Sequence, residues 1–230
     1  TESNTVEAYV RDRLAGPIKI TRPNEAEDPR ASYGTSGLGW RYVSPVEMPR
    51  QPQEVMVESW IREALIRLNP EIAAQPDRAD DVLFRLRAII MGVRSDGLVK
   101  ENEEFAAWLT GERSMPFGKD GEHVTIRLLD FTNPARNEYV ITNQFTYRAG
   151  ATEKRADLVL LVNGIPLVVI EAKTPVRASQ SWLDAAIQIH DDYERNVPEL
   201  FVPNLISVAT EGKELRYGSI GLPVELWGPW

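Results

Sequence analysis

The chain has no cysteine, so disulfides, thiolate zinc sites and cysteine nucleophiles are excluded together. That usage suits a reducing cytosol, and a cytoplasmic location is expected. Histidine is scarce as well: His123 and His190 cannot by themselves build a histidine metal site, no Ser-His-Asp spacing stands out, and both read as surface or packing residues. No apolar run approaches membrane-spanning length. The longest, Leu158 to Ile170, is broken by Asn163-Gly164 and Pro166 and reads as two short strands rather than a signal peptide. A phosphate-binding loop is missing too, because Gly118-Lys119 lacks the glycine five residues earlier and is followed by Asp120; no ATP site is expected in this stretch. The Gly-rich patch from Tyr33 to Trp40 is no dinucleotide site, since Trp40-Arg-Tyr-Val does not open a helix, and a flexible loop is expected there.

A surplus of positive charge is also lacking. With 34 acidic against 26 basic side chains the formal charge is −8, which argues against a protein that coats nucleic acid through bulk electrostatics. The balance remains compatible with an enzyme that gathers carboxylates around a metal, or with a domain handed its nucleic acid by a larger assembly. A hydrophobic content of 43% and a charged content of 26% are those of an ordinary globular protein, and 230 residues suffice for one core with a small appendage.

What is present falls into two parts. Residues 1–50 are rich in Pro, Gly and charge and read as an N-terminal extension, mostly loop. Residues 51–230 read as the main domain, with a helical part at about 53–111 and a sheet core at about 122–220. In Gln53–Leu68 the residues Val57, Trp60, Ile61, Ala64, Leu65 and Leu68 recur at helical spacing until Asn69-Pro70 stops them. A second helix is expected from Asp80-Asp81 to near Gly92, and a third from Glu101 to Thr110, capped by Gly111. The pattern then becomes alternating: Val124, Ile126 and Leu128 share one strand face, and Tyr139, Ile141, Asn143, Phe145 and Tyr147 share another. Asp157–Val162 and Leu167–Lys173, joined across Asn163-Gly164, form a hairpin signal whose apolar strands should be central and covered on both faces. A helix from Ser181, its candidate N-cap, to Arg195 and strands Asn204–Ala209 and Glu214–Ser219 complete the core. The closing Leu226-Trp-Gly-Pro-Trp230 reads as the start of a link to further structure. The expected fold is α/β of the α+β type, a mixed central sheet flanked by helices.

Chemistry concentrates at one end of the hairpin. Glu171 and Lys173 are two residues apart on a strand and project from one face, and Asp157 opens the partner strand. Glu-x-Lys alone is a common surface ion-pair pattern. Here, however, it ends a buried apolar run, where charge is costly unless paired or bound to metal, and where two close carboxylates repel unless a cation lies between them. A divalent ion such as Mg²⁺, which takes oxygen ligands and keeps several waters, resolves both problems. Lys173 would then orient a water at the metal and steady the charge growing on a phosphate, which makes phosphodiester hydrolysis the reaction class. A plain two-residue turn would pair Asp157 with Ile170 and spoil the site, so either a three-residue loop, Asn163 to Ile165, or a one-residue bulge is expected.

Arg155-Ala-Asp157-Leu-Val-Leu-Leu-Val-Asn-Gly-Ile-Pro-Leu-Val-Val-Ile-Glu171-Ala-Lys173-Thr-Pro175 resembles the nuclease signature of the motor and cleavage (R) subunit of type I restriction enzymes, a branch of the PD-(D/E)xK nucleases. Asn143-Gln-Phe145, Val197-Pro-Glu-Leu-Phe201, Ser207-Val-Ala-Thr-Glu-Gly212 and Gly228-Pro-Trp230 extend the likeness. The resemblance implies a restriction-endonuclease-like fold in which Asp157, Glu171 and the Ala172 carbonyl hold the metal and Lys173 is catalytic. It also implies a glutamate from an upstream helix; Glu58 is similar in placement, Glu54 and Glu63 are rivals, and a solvated helix glutamate is the plain alternative. The family's Gln-x-x-x-Tyr pair corresponds to Gln188 and Tyr193, here five apart rather than four, so either a π-bulge restores the register or one residue has lost the role. Arg148, Lys154, Arg155 and Arg177 flank the centre as candidate DNA-phosphate contacts, against the plain reading of solvated strand-end charges.

The implied activity is Mg²⁺- or Mn²⁺-dependent hydrolysis of double-stranded DNA when a motor delivers it. Methylation and specificity subunits would be the partners, and ATP would be used only by the translocase domains of full-length relatives. A stand-alone repair or junction nuclease of the same superfamily, and a catalytically inactive DNA-binding or docking module, are the alternatives; metal titration separates the last from the others.

Overall fold

The computed structural model describes residues 6–16, 37–174 and 181–230. Helix α1 (Val6–Ala15) places Val10 and Leu14 four residues apart, and with Ala15 they pack on a small apolar cluster of the central sheet. Strand β1 (Arg41–Tyr42) then pairs in parallel at the sheet edge. The first fifty residues, expected to be mostly loop, thus contribute a helix and an edge strand; residues 33–36 of the Gly-rich patch lie outside the described residues.

Four helices follow. In α2 (Glu58–Leu68) the buried residues Ile61, Ala64, Leu65 and Leu68 form the stripe expected from their spacing. Asn69 ends the helix, its buried amide donating to the carbonyls of Leu65 and Arg127, both at 2.9 Å. Proline at the first position starts α3 (Pro70–Ala74). Helix α4 (Arg78–Asp96) runs past the expected stop at Gly92 to Gly97, where a φ of 91° ends it. Gly92 sits mid-helix because α5 (Leu98–Leu109) packs there: an added Cβ would lie 3.1 Å from the Glu101 side chain. Gly111 caps α5 as expected, with φ 78° and the paired bonds Glu112 N–H to Ala107 O and Gly111 N–H to Trp108 O.

The expected Val124, Ile126, Leu128 strand forms only a two-residue ladder, β2 (Ser114–Met115) with β3 (Val124–Thr125); Ile126 and Leu128 are buried beyond it. The main sheet has seven strands in the order β1-β4-β5-β6-β7-β8-β9, with β4 (Tyr139–Ala149), β5 (Thr152–Val162) and β6 (Ile165–Ala172) antiparallel. As expected, β5 and β6 are interior strands, and Leu158, Val159 and Leu161 are fully buried. Their turn, Asn163-Gly164, has two residues with φ 52° and 87°. Gly164 also lets the hairpin tip meet α2, since a Cβ there would lie 2.6 Å from the Val57 carbonyl oxygen.

The expected common face of β4 is broken. Ile141 joins the small cluster of Leu158, Ile170 and Val208, whereas Phe145 and Tyr147 join the large core on the other side. The cause is Gln144, whose φ of 51° inverts the alternation in mid-strand. The large core lies between the sheet and α2, α4 and α5, while α1, Trp40 and Tyr42 cover the small one.

From β6 the chain crosses over to β7 (Ile206–Thr210), parallel to it, through α6 (Trp182–Ile187), a π-helical turn (Gln188–Tyr193) and α7 (Glu194–Asn196). Ser181 is the N-cap, in a reciprocal capping box with Asp184. Strand β8 (Leu215–Gly218) follows, and the tail pairs as the edge strand β9 (Gly228–Pro229), with Trp227 buried and its indole N–H donating to Leu222 O at 3.1 Å. Gly228 and Pro229 thus add to the edge of the sheet. Among the described residues no helix is long and apolar enough to cross a membrane.

Candidate active site

The β5–β6 ladder carries a one-residue irregularity: Leu161 pairs with Pro166 but Leu160 with Val168, so Leu167 is the extra residue. One of the two expected devices is therefore in place, a bulge beyond a plain two-residue turn. It moves the register so that Leu158 pairs with Ile170, and Asp157 comes level with Glu171. Glu171 is 3% exposed. Its Oε1 faces the Lys173 Nζ at 3.4 Å, and its Oε2 is buried with no hydrogen-bond partner among the described residues. Burial first, and the Asp157 charge second, push its carboxyl up to about 8. Asp157 is held at both oxygens: Oδ2 accepts the Ala172 backbone N–H at 2.9 Å, and Oδ1 lies 3.4 Å from the Gln144 amide nitrogen.

Lys173 is anchored from the helix side. Its Nζ donates to Gln188 Oε1, the Gln188 amide donates to the Tyr193 hydroxyl, and that hydroxyl donates to the Arg155 carbonyl at 3.0 Å. Gln188 and Tyr193 open and close the π-helical turn. On a regular helix an offset of five would rotate the side chains about 140° apart, and the wider turn brings them back into contact. Tyr193 is buried, which raises its phenol, so the hydroxyl stays a neutral donor. A cleft of about 440 Å³ opens over Arg155, Asp157, Glu171, Gln188 and Tyr193. A larger groove of about 680 Å³, between α4, α5 and the β2–β3 ladder, lies elsewhere, and its Glu104 is paired with Arg113.

A model of the family described as type I restriction enzyme R protein N terminus matches residues 26–221. The chain belongs to that family. It is 31% identical over 207 residues, 84% of its length, to the type I restriction enzyme HindI endonuclease subunit of Haemophilus influenzae, of which this covers 19%. A second relative, from Methanocaldococcus jannaschii and carrying the name of the putative MjaIXP endonuclease subunit, is 25% identical over 225 residues, 93% of the chain and 21% of that protein. The chain thus spans about a fifth of the length of these relatives.

Within this R-protein N terminus the glutamates expected from the upstream helix lie away from the Asp157–Glu171 pair. Glu58 does not reach the centre: it pairs with Arg87 at 2.5 Å, at the start of α2, beside the hairpin turn where Val57 N–H donates to Gly164 O. Six residues of β6 separate that turn from Glu171, about 20 Å of strand. Of its rivals, Glu63 is exposed and Glu54 accepts the nearby Gln51 N–H. The carboxylate that approaches is Glu7 of α1, which is 7% exposed and accepts from the Gln144 amide at 3.1 Å. Burial and then the Asp157 charge raise it to about 7. The stripe Val6, Val10 and Leu14, with spacings of four, was the available signal for a helix here.

The flanking cations are mostly engaged. Arg148 pairs with Glu153 at 2.5 Å on the exposed hairpin, and Lys154 pairs with Asp192 at 2.7 Å, 6.0 Å from the Tyr193 ring. Arg155 is exposed at the cleft, and Arg177 lies outside the described residues. His123 is exposed against Ser114, and His190 pairs with Asp191, both away from the carboxylates' hydrogen bonds. Among the described residues no three His, Asp or Glu side chains converge as a metal-binding group. The groups that could hold a cation are therefore two carboxylates, Asp157 and Glu171, with backbone to complete the set.

Proposed function

We propose that this R-protein N terminus is a divalent-metal-dependent endonuclease domain that hydrolyses phosphodiesters of double-stranded DNA inside a larger restriction-modification enzyme. The observation that carries the reading is Glu171 Oε2, a carboxylate oxygen beside Asp157 that is buried without a hydrogen-bond partner among the described residues. Such an oxygen is costly unless a cation completes it. The donor set is all oxygen with no sulfur, which fits Mg²⁺ or Mn²⁺ rather than a soft metal. Asp157, Glu171 and the Ala172 carbonyl would hold the ion, which supplies positive charge against the phosphate and a water of lowered pKa.

The chain's own residues do the rest. The hydrogen bonds to Asp157 fix its carboxylate plane, so little reorganisation accompanies binding. Gln188, itself braced by Tyr193, keeps the Lys173 Nζ at the cleft floor, where the ammonium orients the attacking water and opposes charge developing on the phosphate oxygens. Arg155, and Lys154 once released from Asp192, are placed to touch the DNA backbone. A net charge of −8 and cations already paired leave little intrinsic affinity for DNA, in keeping with delivery by an ATP-driven motor and with sequence recognition by specificity and methylation subunits. Cytoplasmic action follows from that role.

Calorimetric titration of the chain with Mn²⁺ tests the reading. Binding at a site lost in Asp157→Ala is expected, and heats that are identical for the two proteins would reject the metal assignment.

A further inference from the structure

Three non-glycine residues among those described have positive φ: Asp120 in a short turn, Asn163 in the hairpin turn, and Gln144 within β4. The first two are residue types that tolerate the left-handed region in places that call for it. Gln144 is neither, and a ladder gives no local reason for φ 51° in mid-strand. The pairing on either side keeps one register, Asn143 with Leu158 and Phe145 with Ala156, so no residue has been inserted that would force the distortion. What the distortion achieves is placement. Gln144 lies level with Asp157, and its amide nitrogen is 3.1 Å from Glu7 Oε2 and 3.4 Å from Asp157 Oδ1. One NH₂ group, with two hydrogens, spans carboxylates from α1 and β5.

We propose that Gln144 is a positioning residue for the cation site, whose strained backbone is kept so that its amide can fix Asp157 Oδ1 and tie α1, through Glu7, to the site. The inference rests on the reading of Asp157 as a metal ligand. With Ala172 N–H on Oδ2 and Gln144 on Oδ1, Asp157 is locked against rotation about its carboxylate axis. A donor between Glu7 and Asp157 also lets two carboxylates stand close without a cation on that side. Strained backbone held at a site, and not where folding needs it, is the signature of a functional constraint.

The test separates that role from a structural one. Asn and Gly both accept a left-handed backbone better than Gln, but neither carries an amide that reaches both carboxylates. In Gln144→Asn and Gln144→Gly of the full chain, relief of the left-handed backbone and loss of the donor between Glu7 and Asp157 act on stability in opposite directions, so the melting temperature in chelator should stay close to that of the wild type, while Mn²⁺ affinity by calorimetry falls about 10- to 100-fold. Mn²⁺ affinity within twofold of wild type in both variants, or melting temperature and affinity falling together in both, would overturn the proposal. Asp157→Ala serves as the reference. If the wild type binds Mn²⁺, Asp157→Ala does not, and the Gln144 variants bind normally, the inference alone fails; if the wild type binds no Mn²⁺, the site reading fails and takes the inference with it.

Discussion

Alanine at Lys173 or at Asp157, in an enzyme assembled with its motor and partner subunits, is expected to lower DNA cleavage by about 10³-fold or more. The two substitutions act by different routes. Asp157→Ala removes one of the two side chains available to a cation and frees the Ala172 N–H, so Mn²⁺ binding and cleavage should be lost together. Lys173→Ala leaves both carboxylates in place and removes the ammonium held by Gln188, so metal binding should survive while cleavage is lost. Supercoiled-plasmid cleavage and Mn²⁺ calorimetry on the same preparations check the split. Wild-type cleavage by either variant would remove that residue from the mechanism.

Glu171→Gln should make the metal-free protein more stable and leave it unable to bind the ion. The Glu171 carboxyl stands near 8 in the fold, against 4.5 for an unperturbed glutamate. Between those values the folded state therefore holds a proton that the unfolded state has lost, and stability falls as pH rises, by at most about 1.4 kcal/mol per pH unit from this group. Glu7, raised to about 7, adds a second fall that ends lower. Chemical denaturation in chelator should show wild type and Glu171→Gln nearly equal at pH 4.5 and diverging by a few kcal/mol by pH 8, the variant being the more stable. Added Mn²⁺ should raise the stability of the wild type alone. Parallel pH profiles for the two proteins would mean that Glu171 does not titrate as a buried, metal-free carboxyl.

Periodicity is the reason so much of this molecule could be read from its sequence. Buried stripes such as Ile61, Ala64, Leu65 and Leu68, the Asn163-Gly164 turn, the Ser181 cap and the Gly111 cap are local signals, and each element stands where its signal placed it. The bulge was legible through chemistry: Asp157 and Glu171 can meet only if the register slips by one, and Leu167 is where it slips. The offset of Gln188 and Tyr193 was legible only through the family resemblance, which left open a π-bulge or a lost role, and the π-helical turn is the outcome found.

Three features were not legible, and each depends on contacts distant in sequence. Glu58 follows the right kind of stripe, yet α2 docks at the tip of the hairpin, and nothing in the sequence of α2 says which end it meets. Glu7 sits on a short helix whose residues Val10 and Leu14 pack on the cluster of Ile141, Leu158, Ile170 and Val208, far along the chain. The inverted alternation of β4 turns on one backbone angle at Gln144, where neither Gly nor Asn marks the change.

Anomalous diffraction from crystals of the chain soaked in Mn²⁺ tests the central claim most directly. The account predicts a peak in the cleft within about 2–2.3 Å of an oxygen of Asp157 and an oxygen of Glu171 together. A cleft without a peak, or an ion that touches only one of the two carboxylates, would contradict it.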